Sequence, residues 1–202
     1  MSNYRTCRNY ENLEKKIYPG VPPLGIPEIL PAEFDDSKVK EFRGFNYALS
    51  ASERASVGCH FFLDDYQFMR LWRSPDRYIE TLKEFACVLS PDFSLYADWP
   101  KAVQIYNHYR KHWLARYLQD HGVKVIPTIC WSDASSYKWC FDGEPTESPV
   151  AVSSVGCLAD PHSKPLFLEG YAEMLRRLRP SRIIFYGTVP EECEGPIYAV
   201  DP

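Results

Sequence analysis

Short apolar runs alternate with helical patterns along most of this chain, and no other feature constrains its fold as strongly. Continuous apolar runs are typical of strands that are buried on both faces, as in parallel sheets. Such runs predict strands at 42–48, 59–63, 87–89, 123–129, 150–152 and 182–185. A repeated strand–helix–strand order requires parallel strands joined by right-handed crossovers. We therefore predict an α/β fold with a mostly parallel sheet of five or six strands, either a partial (β/α) barrel or an open doubly wound sheet.

Start and stop signals place helices between these strands. The tripeptide Ser74-Pro75-Asp76 supplies an N-cap, a proline at the first helical position and an acid in the first turn, which predicts a helix over 75–85. Apolar residues at helical spacing predict longer helices over about 100–121 and 164–178.

Three regions of different composition divide the chain. Residues 1–41 are rich in proline, which breaks helices and central strands, so we expect an extended arm and connector. Three apolar side chains are expected to anchor this arm: Ile26, Ile29 and Leu30. Residues 42–187 carry the alternating pattern and are predicted to form the α/β domain. Residues 188–202, rich in Pro and Glu, are predicted to be a C-terminal flap or tail.

Charge and apolar patterning exclude several classes of protein. A formal net charge of −4 argues against nucleic acid as a partner, because phosphate-backbone binding needs a basic face. No run approaches the roughly 20 apolar residues of a membrane-spanning helix, and no secretory signal is visible. The seven cysteines are irregularly spaced and contain no CxxC, which is typical of reduced thiols. We therefore expect a cytoplasmic protein, and the sequence carries no signal for its oligomeric state.

Polar residues follow every predicted strand. Ligands of parallel α/β folds bind at the carboxyl ends of the strands, so these residues are the candidates for one site. The candidate catalytic residues are Asp64, Asp65, Asp92 and Asp133. The candidate substrate-binding residues are Asn46, His60, Trp131, Ser132, Ser153, Ser154 and Tyr186.

The aspartates suit two kinds of chemistry. Carboxylates that share a pocket raise one another's pKa, which leaves one protonated as a general acid and another ionised as a base. Alternatively, they supply the oxygen ligands that Mg²⁺ prefers. The structural alternative is that each aspartate caps a helix or a turn, where Asp is favoured whether or not it has a function.

Other chemistry-bearing residues have simpler interpretations. His108 and His112 are four apart on the predicted long helix, but no Glu lies between them, so we interpret them as a solvated flank. His60 lies in an apolar strand and is interpreted as a core histidine. Cys130 follows a strand as a candidate nucleophile, with no His near it in sequence. The signatures of P-loop, dinucleotide-binding and α/β-hydrolase proteins are absent from the sequence.

Four motifs in order carry a family resemblance. They are His60-Phe61-Phe62-Leu63-Asp64-Asp65-Tyr66-Gln67-Phe68, Ser90-Pro91-Asp92-Phe93-Ser94-Leu95-Tyr96, Val125-Ile126-Pro127-Thr128 and Trp131-Ser132-Asp133. Over residues 24–188 the chain resembles the bacterial and phage family known as domain of unknown function 4417. The resemblance implies a phage or mobile-element setting, and it implies no activity.

Two hypotheses of function follow. The first is a pocket enzyme of the hydrolase type, in which the aspartates act as acid, base or Mg²⁺ ligands on a small molecule. The second is a non-catalytic binder that sequesters a host small molecule or inhibits a host defence protein. An enzyme is expected to bring its aspartates together around a cleft, whereas a binder can have them dispersed as caps.

Overall fold

Seven parallel strands form the framework of the part of the chain that the computed structural model describes, residues 10–202. The strands are β1 Glu41–Gly44, β2 Val57–His60, β3 Cys87–Leu89, β4 Val125–Ile126, β5 Pro149–Ser153, β6 Arg182–Tyr186 and β7 Ile197–Val200. They stand side by side in chain order, β1 to β4 in one sheet and β5 to β7 in a second. A parallel bridge between Thr128 and Ala151 joins the two sheets.

This topology confirms the predicted α/β class with parallel strands in an open sheet. The consecutive strand order is that of a partial barrel, because a doubly wound sheet reverses its order at a switch point. One apolar cluster contains residues of both sheets, including Leu89, Ile126 and Ile184. At the two edges of the framework, the rings of Phe42 and Tyr198 lie 6.5 Å apart. The strands therefore curl around a shared interior, although they do not close into a barrel.

Helices follow β1, β2, β3 and β5, whereas β4–β5 and β6–β7 are joined without an α-helix. The helices are α1 Phe45–Ala48, α2 Asp65–Arg73, α3 Ile79–Lys83, α4 Lys101–Asp120 and α5 Ser163–Leu178. The helix predicted over 75–85 is split into a 3₁₀ turn, Pro75–Arg77, and α3. The first strand is shorter than predicted: it ends at Gly44, and α1 occupies the remainder of 42–48. No helix within residues 10–202 is both long and apolar enough to cross a membrane.

The proline-rich arm lies along α4. The Trp113 indole N–H donates to the Lys16 carbonyl at 2.9 Å, and the Gln119 side chain bonds both the N–H and the carbonyl of Leu30. Ile26 and Ile29 are buried, as predicted, but the prediction for Leu30 was wrong, because 44% of its surface is exposed. With the arm on one side and the sheet on the other, α4 is buried around most of its circumference.

The last strand lies in the predicted C-terminal flap or tail. β7 pairs in parallel with β6 along its whole length, from Ile197 opposite Ile183 to Val200 opposite Tyr186. The Tyr198 hydroxyl donates to the Val39 carbonyl at 3.4 Å, across the interior from the connector that precedes β1. The domain boundaries at 41 and 187 stay predictions.

Candidate functional site

A cavity of about 630 Å³ opens at the carboxyl ends of β2, β3, β4 and β5. Its walls come from segments 62–67, 92–97, 129–132 and 153–157, with the first turns of α5 closing one side. Parallel α/β folds bind their ligands at this end of the sheet, and the volume is within the range of small-molecule sites. The cavity is therefore the candidate functional site.

The structure distributes the predicted site residues between the cavity and its surroundings. The residues that line the cavity are Asp64, Asp92, Trp131, Ser132 and Ser153. The residues that lie outside its lining are Asn46, His60, Asp65, Asp133, Ser154 and Tyr186. Two of the four aspartates thus meet in one cavity, and the roles of all these residues stay predictions.

Asp92 has the most perturbed carboxyl of the cavity wall. It follows β3 directly after the buried Pro91. Burial raises the pKa of the Asp92 carboxyl to about 6, although the Lys111 ammonium and the Cys130 thiol act in the opposite direction. A carboxyl that titrates near neutrality exchanges a proton in either direction under ordinary conditions, which is what general acid–base chemistry requires.

Asp64 and Asp65 are adjacent but differ in their surroundings. Asp64 is exposed, lines the cavity and makes no side-chain capping bond, although it stands at the N-cap of α2. Asp65 accepts hydrogen bonds from the N–H and the hydroxyl of Ser94, at 3.1 and 2.9 Å. Asp65 therefore fastens α2 to the loop after β3, whereas Asp64 presents its carboxylate to the cavity.

Asp133 makes a local turn. Its carboxylate accepts the Ser135 N–H at 2.8 Å, and its carbonyl accepts the Ser136 hydroxyl at 2.6 Å. Hydrogen bonding by Ser135 lowers the pKa of the Asp133 carboxyl. These contacts are the ones expected of an Asx turn, the structural alternative for this residue.

Trp131 and Ser132 form the wall after β4. The Trp131 indole N–H donates to the Leu166 carbonyl of α5 at 3.1 Å, and Gly170 leaves room for the ring on the same helix. Ser132 is buried, and its hydroxyl has no hydrogen-bond partner within residues 10–202. A buried hydroxyl on a cavity wall is a donor and acceptor available to a bound molecule.

The remaining predicted residues pack beside the cavity. The rings of His60 and Tyr186 lie 4.5 Å apart, where the ends of β2 and β6 meet. His60 Nδ1 accepts the Phe62 N–H at 3.2 Å, and burial lowers the pKa of its imidazole to about 4, so His60 is neutral. The Ser154 hydroxyl donates to the Thr188 carbonyl at 2.7 Å. Asn46 lies on α1, where its amide donates to the Gln67 side chain at 2.6 Å.

A buried polar cluster lies behind the cavity. Lys111 of α4 donates to Glu144 at 2.5 Å and to the Thr128 carbonyl at 2.9 Å, and it lies 3.9 Å from the Cys130 sulfur of the cavity wall. The side chains of Lys111 and Glu144 are 1% and 0% exposed. Burial disfavours the charge of Glu144, but Lys111 and His112 outweigh it and lower the pKa of its carboxyl.

The interpretation of His108 and His112 as a solvated flank was wrong. They are 1% and 0% exposed, because the arm and the loop around Glu144 cover this side of α4. His112 Nε2 lies 3.0 Å from a Glu144 carboxylate oxygen. One ligand atom from each of His108, His112 and Glu144 lies within 4.8 Å of the others. The only sequence signal for this cluster was the four-residue spacing of the two histidines.

The Cys130 side chain is a protonated thiol in its buried surroundings. Burial raises the pKa of the Cys130 thiol well above its usual range, although Lys111 acts in the opposite direction. A nucleophilic cysteine needs a depressed pKa, so the structure favours Cys130 as part of the cavity wall.

A comparison with known families identifies the chain. The family described as Domain of unknown function (DUF4417) matches residues 18–200. The chain belongs to this family. The Gene 1 protein of Mycobacterium phage L5 is 36% identical over an alignment of 181 residues, and the alignment covers 86% of this chain and 79% of that protein. The Gene 1 protein of Mycobacterium phage D29 is 39% identical over an alignment of 147 residues. The alignment covers 69% of this chain and 54% of that protein, so the match spans about half of the D29 protein. No solved structure matches the chain.

The segments that carry the DUF4417 resemblance surround the cavity. Asp64 and Gln67 come from the first motif, Asp92 and Ser94 from the second, and Trp131 from the fourth. The third motif contains β4, which leads into the cavity wall. The family pattern and the fold-level rule for strand ends therefore point to the same place in the molecule.

Proposed function

We propose that this DUF4417 protein is an acid–base enzyme of the hydrolase type that acts on a small molecule in the strand-end cavity. Asp92 is the residue that exchanges protons in this proposal. Asp64, Ser132 and Ser153 bind the polar parts of the substrate, and Trp131 provides an apolar wall. The similarity to phage Gene 1 proteins supports a phage setting for the activity.

The observation that carries the proposal is the position of Asp92 on the wall of the cavity, with a pKa raised to about 6. In its ionised form, Asp92 accepts a proton from a water molecule as that water attacks the substrate. In its protonated form, it donates that proton to the leaving group. Both forms are populated near neutral pH, so no further group is needed to return the proton.

Asp64 and Asp92 also offer oxygen ligands for Mg²⁺. Hydrolysis assisted by Mg²⁺ is therefore a second form of the same proposed reaction. We further propose a cytoplasmic location, which the free cysteines at the six described positions support. A host protein is the alternative partner if the chain is a non-catalytic binder.

The second candidate function is a non-catalytic binder. Asp65 and Asp133 are engaged in structural hydrogen bonds, which is the dispersed arrangement expected of caps. Tyr96, on the cavity lining, is 56% exposed, and aromatic surface of this kind suits the stacking of a flat ligand. A binder needs the cavity but does not need the titration of Asp92.

The test is thermal melting of the protein against a panel of nucleotides, sugars and divalent cations including Mg²⁺. A ligand at a hundredfold excess over its Kd stabilises the native state by about 2.7 kcal/mol. We expect at least one compound to raise the melting temperature, and we expect Asp92→Asn and Asp64→Asn to reduce that shift. Asp133→Asn is the matched control, since Asp133 follows a strand but lies outside the cavity.

Incubation of the stabilising compound with the wild-type protein, followed by mass spectrometry, separates the two functions. Conversion of the compound, lost in Asp92→Asn, supports the enzyme. Binding without conversion supports the binder. Shifts that persist in both cavity variants, or no shift with any compound, would count against a ligand site in this cavity.

A further inference from the structure

We propose that His108, His112 and Glu144 bind one divalent first-row transition metal ion, with Zn²⁺ as the expected ion. This site is separate from the strand-end cavity and does not depend on the function proposed for it. It joins three parts of the chain, because the histidines lie on α4, Glu144 lies in the loop before β5, and the arm contacts one of the rings.

Backbone carbonyls fix the orientation of both imidazoles. His108 Nε2–H donates to the Asp142 carbonyl at 3.1 Å, and His112 Nδ1–H donates to the Pro27 carbonyl at 2.8 Å. A carbonyl only accepts, so each of these nitrogens carries the ring proton. The lone pairs of His108 Nδ1 and His112 Nε2 are left for a cation. Metal-binding histidines in proteins are held in this way, by a hydrogen bond from the second ring nitrogen.

Two buried atoms of the cluster lack a partner. His108 Nδ1 and Glu144 Oε2 accept no hydrogen bond from any residue in the range 10–202. Both side chains are buried: His108 is 1% exposed, and the Glu144 side chain is 0% exposed. Buried polar atoms are nearly always satisfied, so two orphaned acceptors on adjacent ligand-type residues indicate a missing cation or donor between them.

The contact between His112 and Glu144 points the same way. His112 Nε2 lies 3.0 Å from Glu144 Oε1, and when the imidazole is neutral with its proton on Nδ1, both of these atoms are acceptors. In that state a metal ion bound to both residues satisfies both acceptors. Lys111 donates to Oε1, but Glu144 Oε2 and His108 Nδ1 have no partner within residues 10–202.

The donor set selects the class of metal. Imidazole nitrogen suits Zn²⁺, Fe²⁺, Ni²⁺ and Cu²⁺, and two histidines with one glutamate form a known three-ligand arrangement for zinc. Ligands at 2.0–2.2 Å from a tetrahedral ion stand about 3.3 Å apart. The three ligand atoms lie within 4.8 Å of one another, so small side-chain movements bring them to that spacing. A water molecule completes the coordination of such an ion.

Lys111 competes with the metal for Glu144. Its ammonium holds one carboxylate oxygen at 2.5 Å, and a divalent ion on the other oxygen places two positive groups close together. Removal of the ammonium is therefore expected to increase metal affinity. This response distinguishes a metal site from an ion pair in which Lys111 is the natural partner of Glu144.

The experiment is a Co²⁺ titration of the chelator-treated, full-length protein, followed by absorption, with Zn²⁺ competition to obtain its affinity. We expect one equivalent of metal per chain and a Co²⁺ spectrum of low-symmetry nitrogen and oxygen coordination. His108→Ala and Glu144→Gln are expected to weaken Zn²⁺ binding by about 100-fold or more. His121→Ala is the matched control, since His121 is on the C-terminal flank of α4 and its side chain hydrogen-bonds only the Tyr117 carbonyl in the described structure.

Lys111→Met provides a second variant, with an expected increase in Zn²⁺ affinity of about tenfold or more, since an opposing charge is lost. The Co²⁺ spectrum of the wild-type protein tests for metal binding even if a ligand variant fails to fold. The proposal is overturned if the wild-type protein binds no stoichiometric Co²⁺ or Zn²⁺. It is also overturned if folded His108→Ala, or Lys111→Met, binds Zn²⁺ with wild-type affinity.

Discussion

Asp92 and Asp133 follow neighbouring strands, yet their surroundings give them opposite acid–base properties. Burial on the cavity wall raises the pKa of Asp92 to about 6. Asp133 accepts the N–H of Ser135 in its own turn, and this hydrogen bond lowers the pKa of its carboxyl. The difference comes from solvation and from local donors, since both residues have the same chemistry in an unfolded chain.

The raised pKa of Asp92 has a consequence for stability. The folded state holds this proton more tightly than the unfolded state, so the free energy of unfolding falls as the pH rises from about 4 to above 6. With an ordinary value of 3.8 and a folded value of about 6, the cost at pH 8 is at most about 3 kcal/mol. The Asp133 carboxyl affects the free energy of unfolding in the opposite direction. Its pKa is lowered in the folded state, so its ionisation stabilises the fold and this stabilisation is lost as the pH falls.

At the scale of elements, the cavity depends on how closely α5 approaches the segment after β4. A Cβ added at Gly170 would lie 2.1 Å from the Trp131 indole nitrogen, so only glycine allows the present position of the ring. Trp131 in turn lines the cavity and bonds the Leu166 carbonyl of the same helix. One small residue on a helix therefore shapes the wall of the candidate site.

Gly170→Ala is expected to displace the Trp131 ring and to weaken binding of a cavity ligand about tenfold or more. Tryptophan fluorescence and melting shifts with a compound from the panel measure the two effects. Glu169→Ala, at the adjacent exposed position, is the control and is expected to leave both unchanged. Unaltered ligand binding in Gly170→Ala would mean that Trp131 is not part of the binding surface.

The sequence predicted helices and strands well where the local pattern of apolar residues was strong. α4 and α5 begin and end within about two residues of the predicted bounds, because the apolar spacing that predicts them lies within each helix. β7 was missed because Ile197–Val200 is a short, half-buried edge strand in a Pro/Glu-rich segment. Asn46 was placed on a strand, but the chain turns into α1 after Gly44.

At the scale of the whole molecule, the N-terminal arm is an integral layer of the fold. Ile26 is fully buried, and the carbonyl of the next residue, Pro27, accepts a hydrogen bond from His112. The arm thereby converts the outer face of α4 from a surface into an interior. The burial of His112 follows in part from this long-range contact, whereas Lys111 and His108 are covered by the segment after β4 and by the loop around Glu144.

Ile26→Ala is expected to lower the free energy of unfolding by about 2–5 kcal/mol, because it leaves a cavity between the arm and the domain. Denaturant unfolding measures this loss, and we expect a single cooperative transition. Leu30→Ala, four residues along the same arm at a position that is 44% exposed, is expected to change stability by about 0.5 kcal/mol or less. Equal effects of the two substitutions would contradict a packed arm.

The location of the candidate site was predictable, but the state of its residues was not. Parallel topology places strand ends together, and Asp64, Asp92 and Trp131 line one cavity at that end of the sheet. The sequence could not tell which aspartate would find a local donor, as Asp65 finds Ser94. His108 and His112 were misjudged because their burial depends on distant parts of the chain: the loop around Glu144 covers both, and the arm covers His112 at Pro27.

The proposed acid–base role of Asp92 depends on a raised pKa of its carboxyl. Carbon-13 NMR of the aspartate carboxyls measures this pKa directly. The Asp92 signal is assigned from the spectrum of Asp92→Asn and is followed between pH 3 and pH 9. We predict a midpoint near 6 for Asp92 and a midpoint below the ordinary range for Asp133. An Asp92 midpoint near its ordinary value of 3.8 would contradict the account, because the cavity would then hold a permanently ionised carboxylate at neutral pH.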